Sequence, residues 1–72
     1  MLDRAEGILV GLRRCTIDAA FGEIVGVSRR HTVPALRVAA ALVELAEGRQ
    51  PRDADAGDVA REEWSELFSG VT

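Results

Sequence analysis

The chain turns at residues 28–36, which read SRRHTVPAL. Two arginines and a histidine lead into Thr32, and Val33 and Pro34 follow. Proline is tolerated in the first turn of a helix, and a threonine just before it can cap that helix with its side-chain oxygen. The pattern therefore predicts that one helix ends near His31 and that the next begins after Thr32. The cations of this segment are expected at the corner between the two helices.

Length and composition limit the kind of protein. The chain has 72 residues and a hydrophobic fraction of 47%, which favours one folded domain with a small stability margin. No apolar run approaches the roughly 18 residues of a membrane span, and there is no signal-peptide pattern, so a cytoplasmic location is expected. The single cysteine, Cys15, has no partner for an internal disulfide and is expected to pack as a small apolar side chain.

The negative charge is concentrated towards the C-terminus. Residues 1–50 contain seven arginines and six acidic residues, whereas residues 51–72 contain two arginines and six acidic residues. The formal net charge of −3 therefore hides a first part that is close to neutral and carries clustered arginines.

Apolar spacing predicts two helices before the turn. The first covers about residues 2–14, and the second starts after a short break with Thr16 as its N-cap. The short break predicts an antiparallel hairpin. Phe21, the largest apolar residue of the first fifty, is expected at the centre of the core. Gly7 and Gly11 share a face, which predicts either close packing of another helix or a smooth surface for an RNA backbone or a dimer partner.

The third predicted helix runs from Thr32 to about Glu47 and is apolar on two sides, with Gly48 as a natural stop. One side is expected to face the first two helices, and the other to meet the C-terminal segment or another subunit. The two sides consist of Leu36, Ala39, Ala40, Val43 and Ala46, and of Ala35, Val38, Leu42 and Leu45.

The predicted fold is all-α: a small three-helix bundle with a short fourth C-terminal helix. The bundle is expected to occupy residues 1–48, an acidic linker residues 49–57, and the last helix residues 58–72, with Asp58 as its cap. This helix is expected to pack on the bundle or on a partner chain. Its predicted apolar face consists of Ala60, Trp64, Leu67, Phe68 and Val71.

Motifs for catalysis, metal binding or cofactor binding are absent from the sequence. It has no phosphate-binding glycine loop and no metal-ligand spacing, and its one histidine, His31, has no nucleophile at a diagnostic distance. We therefore predict no catalytic residue, no metal and no cofactor.

The arginines are the remaining candidates for function. Guanidinium groups bind phosphates bidentately and stack on unpaired bases, which suits a nucleic acid. The two turns should lie at opposite ends of the hairpin, so their arginines should not form one patch in a protomer. The alternative is ordinary surface charge paired with Glu23 or Asp18, and arginines held by carboxylates beneath the last helix would argue against nucleic-acid binding. The candidate residues are Arg29, Arg30, His31, Thr32, Arg37, Arg13 and Arg14.

Three segments in order resemble the ANTAR domain, the RNA-binding module of bacterial transcription antitermination regulators. They read LDRAEGILV (2–10), CTIDAAFGEIV (15–25) and SRRHTVPALRVAAALV (28–43), and VAREEWSELF (59–68) is similar to extensions of actinobacterial members. The chain differs from the usual family pattern in having Pro34 where a basic residue is common.

The resemblance implies a three-helix dimer that binds paired stem-loops in nascent mRNA and so prevents a terminator hairpin from forming. It places residues 29–32 on the basic junction that the family turns towards RNA, and Gly7 and Ala20-Phe21 on packing positions. A sensor protein is a further implied partner. Two alternatives remain open: a protein–protein interaction or dimerisation module without RNA binding, and a helix-turn-helix DNA binder, although the third helix is too apolar to read many base edges.

Overall fold

The computed structural model describes residues 1–69, without the side chain of Ser69. These residues form four helices and no strand: α1 (Leu2–Arg13), α2 (Ile17–His31), α3 (Ala35–Ala46) and α4 (Ala54–Ser69). The all-α prediction is confirmed. Val71, which was predicted on the apolar face of the last helix, lies outside the described residues.

The hairpin of α1 and α2 begins and ends as local signals dictate. Thr16 caps α2, because its Oγ1 accepts the Ala19 N–H at 3.1 Å, as predicted. Both helices end on a residue in the left-handed region, with φ 55° at Arg14 and φ 56° at Thr32. Such an ending turns the chain sharply while the last helical carbonyls keep hydrogen-bond partners.

The prediction that Thr32 caps α3 is wrong, because Thr32 terminates α2. The N–H of Val33 donates to the Ser28 carbonyl at 3.1 Å, which closes the end of α2 around the left-handed threonine. Proline disfavours a helical conformation in the residue before it. Accordingly α3 begins only after Pro34, which occupies the N-cap position without a side-chain cap.

The core forms where all four helices meet, and Phe21 is not at its centre. The prediction for Phe21 is wrong, since its side chain is 45% exposed, and Ile17 is exposed on the same helix. Instead α2 turns Ala20, Ile24 and Val27 inwards. The largest fully buried side chains of the described residues are Trp64, Leu9, Ile24, Leu42, Val27, Val38 and Val43.

Both apolar sides of α3 are covered within the chain. α1 and α2 pack on α3, and α4 also packs on it and reaches α2. The C-terminal segment therefore meets the second apolar side, which was one of the two predicted possibilities. Leu36 and Ala46 are exceptions and stay exposed. α3 ends at the predicted stop, where Gly48 has φ 76° and the Arg49 N–H donates to the Glu44 carbonyl at 2.8 Å.

α4 begins at Ala54, four residues before the predicted start at residue 58. Asp53 provides the cap that was predicted for Asp58, because its Oδ1 accepts the Ala56 N–H at 3.0 Å. The start of the helix is tightly seated: a Cβ added to Gly57 would lie 2.9 Å from the Cβ of Pro51. The helical start is set by this capping and packing, so the linker is shorter than its acidic composition indicated.

Trp64 anchors α4 to the bundle. Its side chain is fully buried, and its Nε1 donates to Glu23 Oε2 at 2.6 Å. Glu23 also pairs with Arg13, with 2.9 Å between Oε1 and the arginine Nε. One carboxylate therefore connects α1, α2 and α4, and the indole contributes both apolar burial and a satisfied N–H.

Gly7 and Gly11 do not support close helix packing within the chain. Among residues 1–69, a Cβ added to either glycine would have no heavy atom of another helix within 4 Å, so that prediction is wrong. The two glycines instead line an open apolar groove with Ile8, Leu12, Ala46 and Phe68. Within residues 1–69, no helix combines the length and the apolar character needed to cross a bilayer.

Candidate nucleic-acid interface

The predicted site residues fall into two groups at opposite ends of α2. Arg13 and Arg14 come just before this helix, and residues 29–32 form its last turn and its C-cap. At 1.5 Å per residue, the 15 residues of α2 separate the groups by about 20 Å. Arg37 lies in the first turn of α3 and joins the second group. We call the second group the α2–α3 corner, consisting of Arg29, Arg30, His31, Thr32 and Arg37.

One carboxylate of α4 engages two side chains of the α2–α3 corner. Glu63 Oε1 accepts from Arg30 Nη2 at 2.9 Å, and Glu63 Oε2 lies 2.8 Å from His31 Nε2. The hydrogen bond from His31 and the contact with Arg30 hold the pKa of Glu63 below its ordinary value. Glu63 is therefore ionised at neutral pH and offsets positive charge at the corner.

A second carboxylate of the C-terminal segment engages Arg37. Asp53 accepts a hydrogen bond from the Arg37 Nε and, through its other oxygen, caps α4. The bond from Arg37, together with the Ala56 N–H, lowers the pKa of Asp53 from 3.8 to about 2. The same contact raises the pKa of Arg37. The acidic linker residue thus joins the start of α4 to the start of α3.

The remaining predicted residues differ in their surroundings. Arg13 pairs with Glu23, as the surface-charge alternative expected. Arg14 and Arg29 are exposed, and neither forms an ion pair within residues 1–69. Thr32 is exposed at the C-cap of α2. Nucleic-acid binding was predicted to need arginines free of carboxylates, and only Arg14 and Arg29 meet that condition.

Sequence reasoning missed the acidic partners and one exposed aromatic residue. The sequence marks Asp53 only as part of an acidic linker, and Glu63 is brought onto the bundle because it directly precedes the core residue Trp64. Phe21 was assigned to the core, yet it is exposed on α2, where an aromatic face is available to a base. Ala20 and Ile24, which lie beside Phe21 on α2, are the buried residues instead. The apolar spacing of the sequence allowed either Phe21 or these two residues to face the core.

The site defines an all-α domain with a cationic helix–helix corner. No group of three His, Cys, Asp or Glu side chains within residues 1–69 could hold a metal ion. The family model of the ANTAR domain matches residues 1–43, and the chain belongs to that family. ANTAR domains are regulatory RNA-binding domains and not an enzyme family. No curated protein and no solved structure matches the chain.

The family match ends inside α3. It includes α1, α2 and the whole α2–α3 corner, and it leaves out the end of α3 and all of α4. The carboxylates that contact the corner, those of Asp53, Glu62 and Glu63, therefore come from outside the matched residues.

Proposed function

We propose that the chain is an RNA-binding transcription antitermination regulator that recognises stem-loops in nascent mRNA. Membership of the ANTAR family supports the RNA partner. The observation that carries the proposal is Arg29, which is exposed at the end of α2 within the matched residues and forms no ion pair in the described part of the chain. When the protein occupies the loops, a terminator hairpin cannot form and transcription continues.

The corner offers several kinds of contact to a folded transcript. Arg29 can donate hydrogen bonds from both of its terminal nitrogens to one phosphate. The Arg30 side chain, although it pairs with Glu63, keeps 58% of its surface exposed. The hydroxyl of Thr32 adds a short polar group at the turn. Phe21 is exposed on the same helix and can stack on an unpaired loop base. Arg13 and Arg14, at the other end of α2, would reach a different part of the RNA.

An RNA with two tandem stem-loops tests the proposal against a scrambled RNA of the same length in an electrophoretic mobility shift assay. The wild-type protein is expected to retain the tandem RNA at concentrations that leave the scrambled RNA free. The double variant Arg29→Ala, Arg30→Ala is expected to lose this binding while keeping its helical circular dichroism. Affinity should also fall with salt, with log K decreasing by roughly 0.7 to 0.9 for each phosphate contacted per unit of log salt.

The single variant Arg29→Ala is measured in the same assay, and Arg4→Ala is its matched control. Arg4 pairs with Glu47 at 3.4 Å, so it lies beside the far end of α3 from the α2–α3 corner. The variant removes one positive charge from the chain without touching the corner. If Arg4→Ala weakens binding as much as Arg29→Ala does, the protein binds RNA through general charge alone, and the proposed site is wrong.

We further propose that the protein acts as a homodimer in the cytoplasm and that a sensor protein supplies its signal. Paired stem-loops call for two copies of the corner, because the arginines of one protomer lie at opposite ends of α2. Multi-angle light scattering of the protein with and without the tandem RNA measures this directly. A complex with one protomer bound to both loops would contradict the dimer.

A protein–protein interaction module is the second candidate function. The open apolar groove at Gly7 and Gly11 and the exposed side chain of Phe21 favour it, as do the carboxylates that already hold Arg30 and Arg37. This candidate predicts self-association without any preference for the tandem RNA over the scrambled RNA. The mobility shift and the scattering measurement together distinguish the two functions.

A further inference from the structure

We propose that α4 inhibits RNA binding in cis. Glu63 and Asp53 contact Arg30, His31 and Arg37, which are side chains that a transcript would use. RNA therefore gains full access to the α2–α3 corner only when these contacts break. The inference rests on the proposed function and adds regulation of the same site by the chain's own C-terminal segment.

The position of the two carboxylates is the first support. Between them, Glu63 and Asp53 engage Arg30, His31 and Arg37, which are three of the five residues of the corner. Both carboxylates lie outside the residues that match the family model, whereas all three of their partners lie inside it. A segment additional to the family domain therefore supplies the counter-charges of that domain's basic junction.

The acidic residues of the C-terminal segment divide between the α2–α3 corner and α4 itself. Residues 51–72 contain six acidic residues, yet Asp58 pairs with Arg61 of its own helix at 3.4 Å. Glu63 instead faces the corner and uses a different oxygen for each partner, and Glu62 Oε2 lies 3.8 Å from His31 Nε2. General acidity of the segment would not require this division, so the contact of Glu63 is a feature of how α4 docks.

The energetics suit inhibition that RNA can overcome. The paired side chains remain partly exposed, with relative exposures of 58% for Arg30 and 48% for Arg37, and exposed ion pairs are individually weak. A polyanion that presents several phosphates can therefore displace Glu63 and Asp53 without unfolding the domain. Trp64 keeps α4 on the bundle through the core, so the release needed is a movement of side chains.

The test compares Glu63→Gln with Asp58→Asn. Each variant removes one negative charge from α4, but only Glu63→Gln removes the carboxylate that contacts Arg30 and His31. We expect Glu63→Gln to bind the tandem stem-loop RNA about three- to tenfold more tightly than wild type, and Asp58→Asn to change affinity less than about twofold. The measurement is a mobility shift titration at fixed salt, with the scrambled RNA as competitor. The salt dependence should become steeper for Glu63→Gln, because more arginines then contact phosphates.

Asp53→Asn is a second variant that tests the same inference independently. Asparagine caps helices as well as aspartate does, so the start of α4 is retained while the pair with Arg37 loses its charge. An affinity gain is expected here too, and the double variant Glu63→Gln, Asp53→Asn should gain more than either single one. Circular dichroism and the urea midpoint of each variant establish that the domain is folded.

The outcomes separate failure of the inference from failure of the proposed function. If wild type prefers the tandem RNA and Glu63→Gln binds no better than Asp58→Asn, inhibition by α4 is refuted and RNA binding stands. If neither wild type nor any variant prefers the tandem RNA, the proposed function is refuted and the inference falls with it. A preference for the tandem RNA that appears only in the Glu63 and Asp53 variants supports both.

Discussion

The two turns at the ends of α2 have the same local construction but different partners. Each follows a helix that ends on a non-glycine residue in the left-handed region, Arg14 in one turn and Thr32 in the other. Each carries two neighbouring arginines, one of which binds a glutamate while the other forms no ion pair in the described part of the chain. At the α1–α2 turn that glutamate is Glu23, and at the α2–α3 turn it is Glu63.

The origin of the glutamate makes the difference. Glu23 belongs to α2 and lies within the residues that match the ANTAR domain, whereas Glu63 belongs to α4 and lies outside them. Docking of α4 therefore sets the charge balance of the second turn, but the first turn has its own counter-charge. Two neighbouring arginines at a turn can thus pair with a glutamate of the matched domain itself, as Arg13 does, or with a glutamate of an additional segment, as Arg30 does.

The largest expected effect comes from Trp64→Ala, which attacks the docking of α4. Removing a fully buried indole costs about 3–5 kcal/mol, which is comparable to the whole stability of a domain of this size. Urea denaturation followed by circular dichroism should show a large loss of cooperative structure. Trp64→Phe keeps most of the ring volume and should lose less. A wild-type urea midpoint for Trp64→Ala would mean that the second turn does not depend on a firmly docked α4.

A second, smaller effect is expected from glycine substitutions in α4 and α1. Gly57→Ala should destabilise the fold by about 1–3 kcal/mol, because the new methyl would lie 2.9 Å from the Pro51 Cβ. Gly11→Ala is the matched control: it meets open space in α1 and should stabilise the fold by about 1 kcal/mol through helix propensity. The two urea midpoints should move in opposite directions. Equal shifts would contradict the tight seat at the start of α4.

The two helix ends can be compared directly with Thr32→Gly and Arg14→Gly. Glycine adopts the left-handed conformation without the steric cost that a side chain brings. That cost is largest for a β-branched residue such as Thr32. We expect both variants to be more stable in urea, by about 0.5 kcal/mol for Thr32 and less for Arg14, since the flexibility of glycine in the unfolded chain offsets part of the gain. Destabilisation of Thr32→Gly would show that the threonine side chain itself holds the corner.

The smallest expected effect is a loss of stability in acid that depends on Asp53. Its pKa is lowered from 3.8 to about 2 in the folded chain by the bond from Arg37. A lowered pKa in the folded state stabilises the fold above the unfolded value, and this contribution is lost as the pH falls from about 4 to about 2. Asp53→Asn should lose less stability over the same range. Identical acid profiles for wild type and Asp53→Asn would rule out the contribution.

Local signals in the sequence were sufficient for most of the fold. Thr16 and Gly48 act through their own residue types, and the helix ends that they set, the start of α2 and the end of α3, were predicted correctly. Phe21 was misplaced because an apolar stripe on α2 can be drawn through Ile17 and Phe21 or through Ala20 and Ile24. Which stripe is buried depends on how α2 packs against α3 and α4. Thr32 could either cap the start of α3 or end α2 in the left-handed conformation, and in the structure it ends α2.

The positions of the arginines in the candidate site could be predicted from the sequence, but the carboxylates that pair with them could not. The sequence places the arginines next to the turns, and the structure keeps them there. Their carboxylates lie far along the chain: Asp53 is 16 residues from Arg37, and Glu63 is 33 residues from Arg30. No periodicity specifies such a pair before the docking of α4 is known. The net charge of a segment therefore says little about which of its arginines are available.

The buried position of Trp64 makes its fluorescence an intrinsic probe of how α4 is docked. The chain has one tryptophan and no tyrosine, so its near-ultraviolet emission comes from a single indole between α4 and α2. A transcript that displaces only the Glu63 side chain should leave this emission unchanged, because the indole stays buried. A transcript that lifts the whole helix should move the emission to longer wavelength as water reaches the ring. Unlabelled protein can therefore reveal how far α4 moves when RNA arrives.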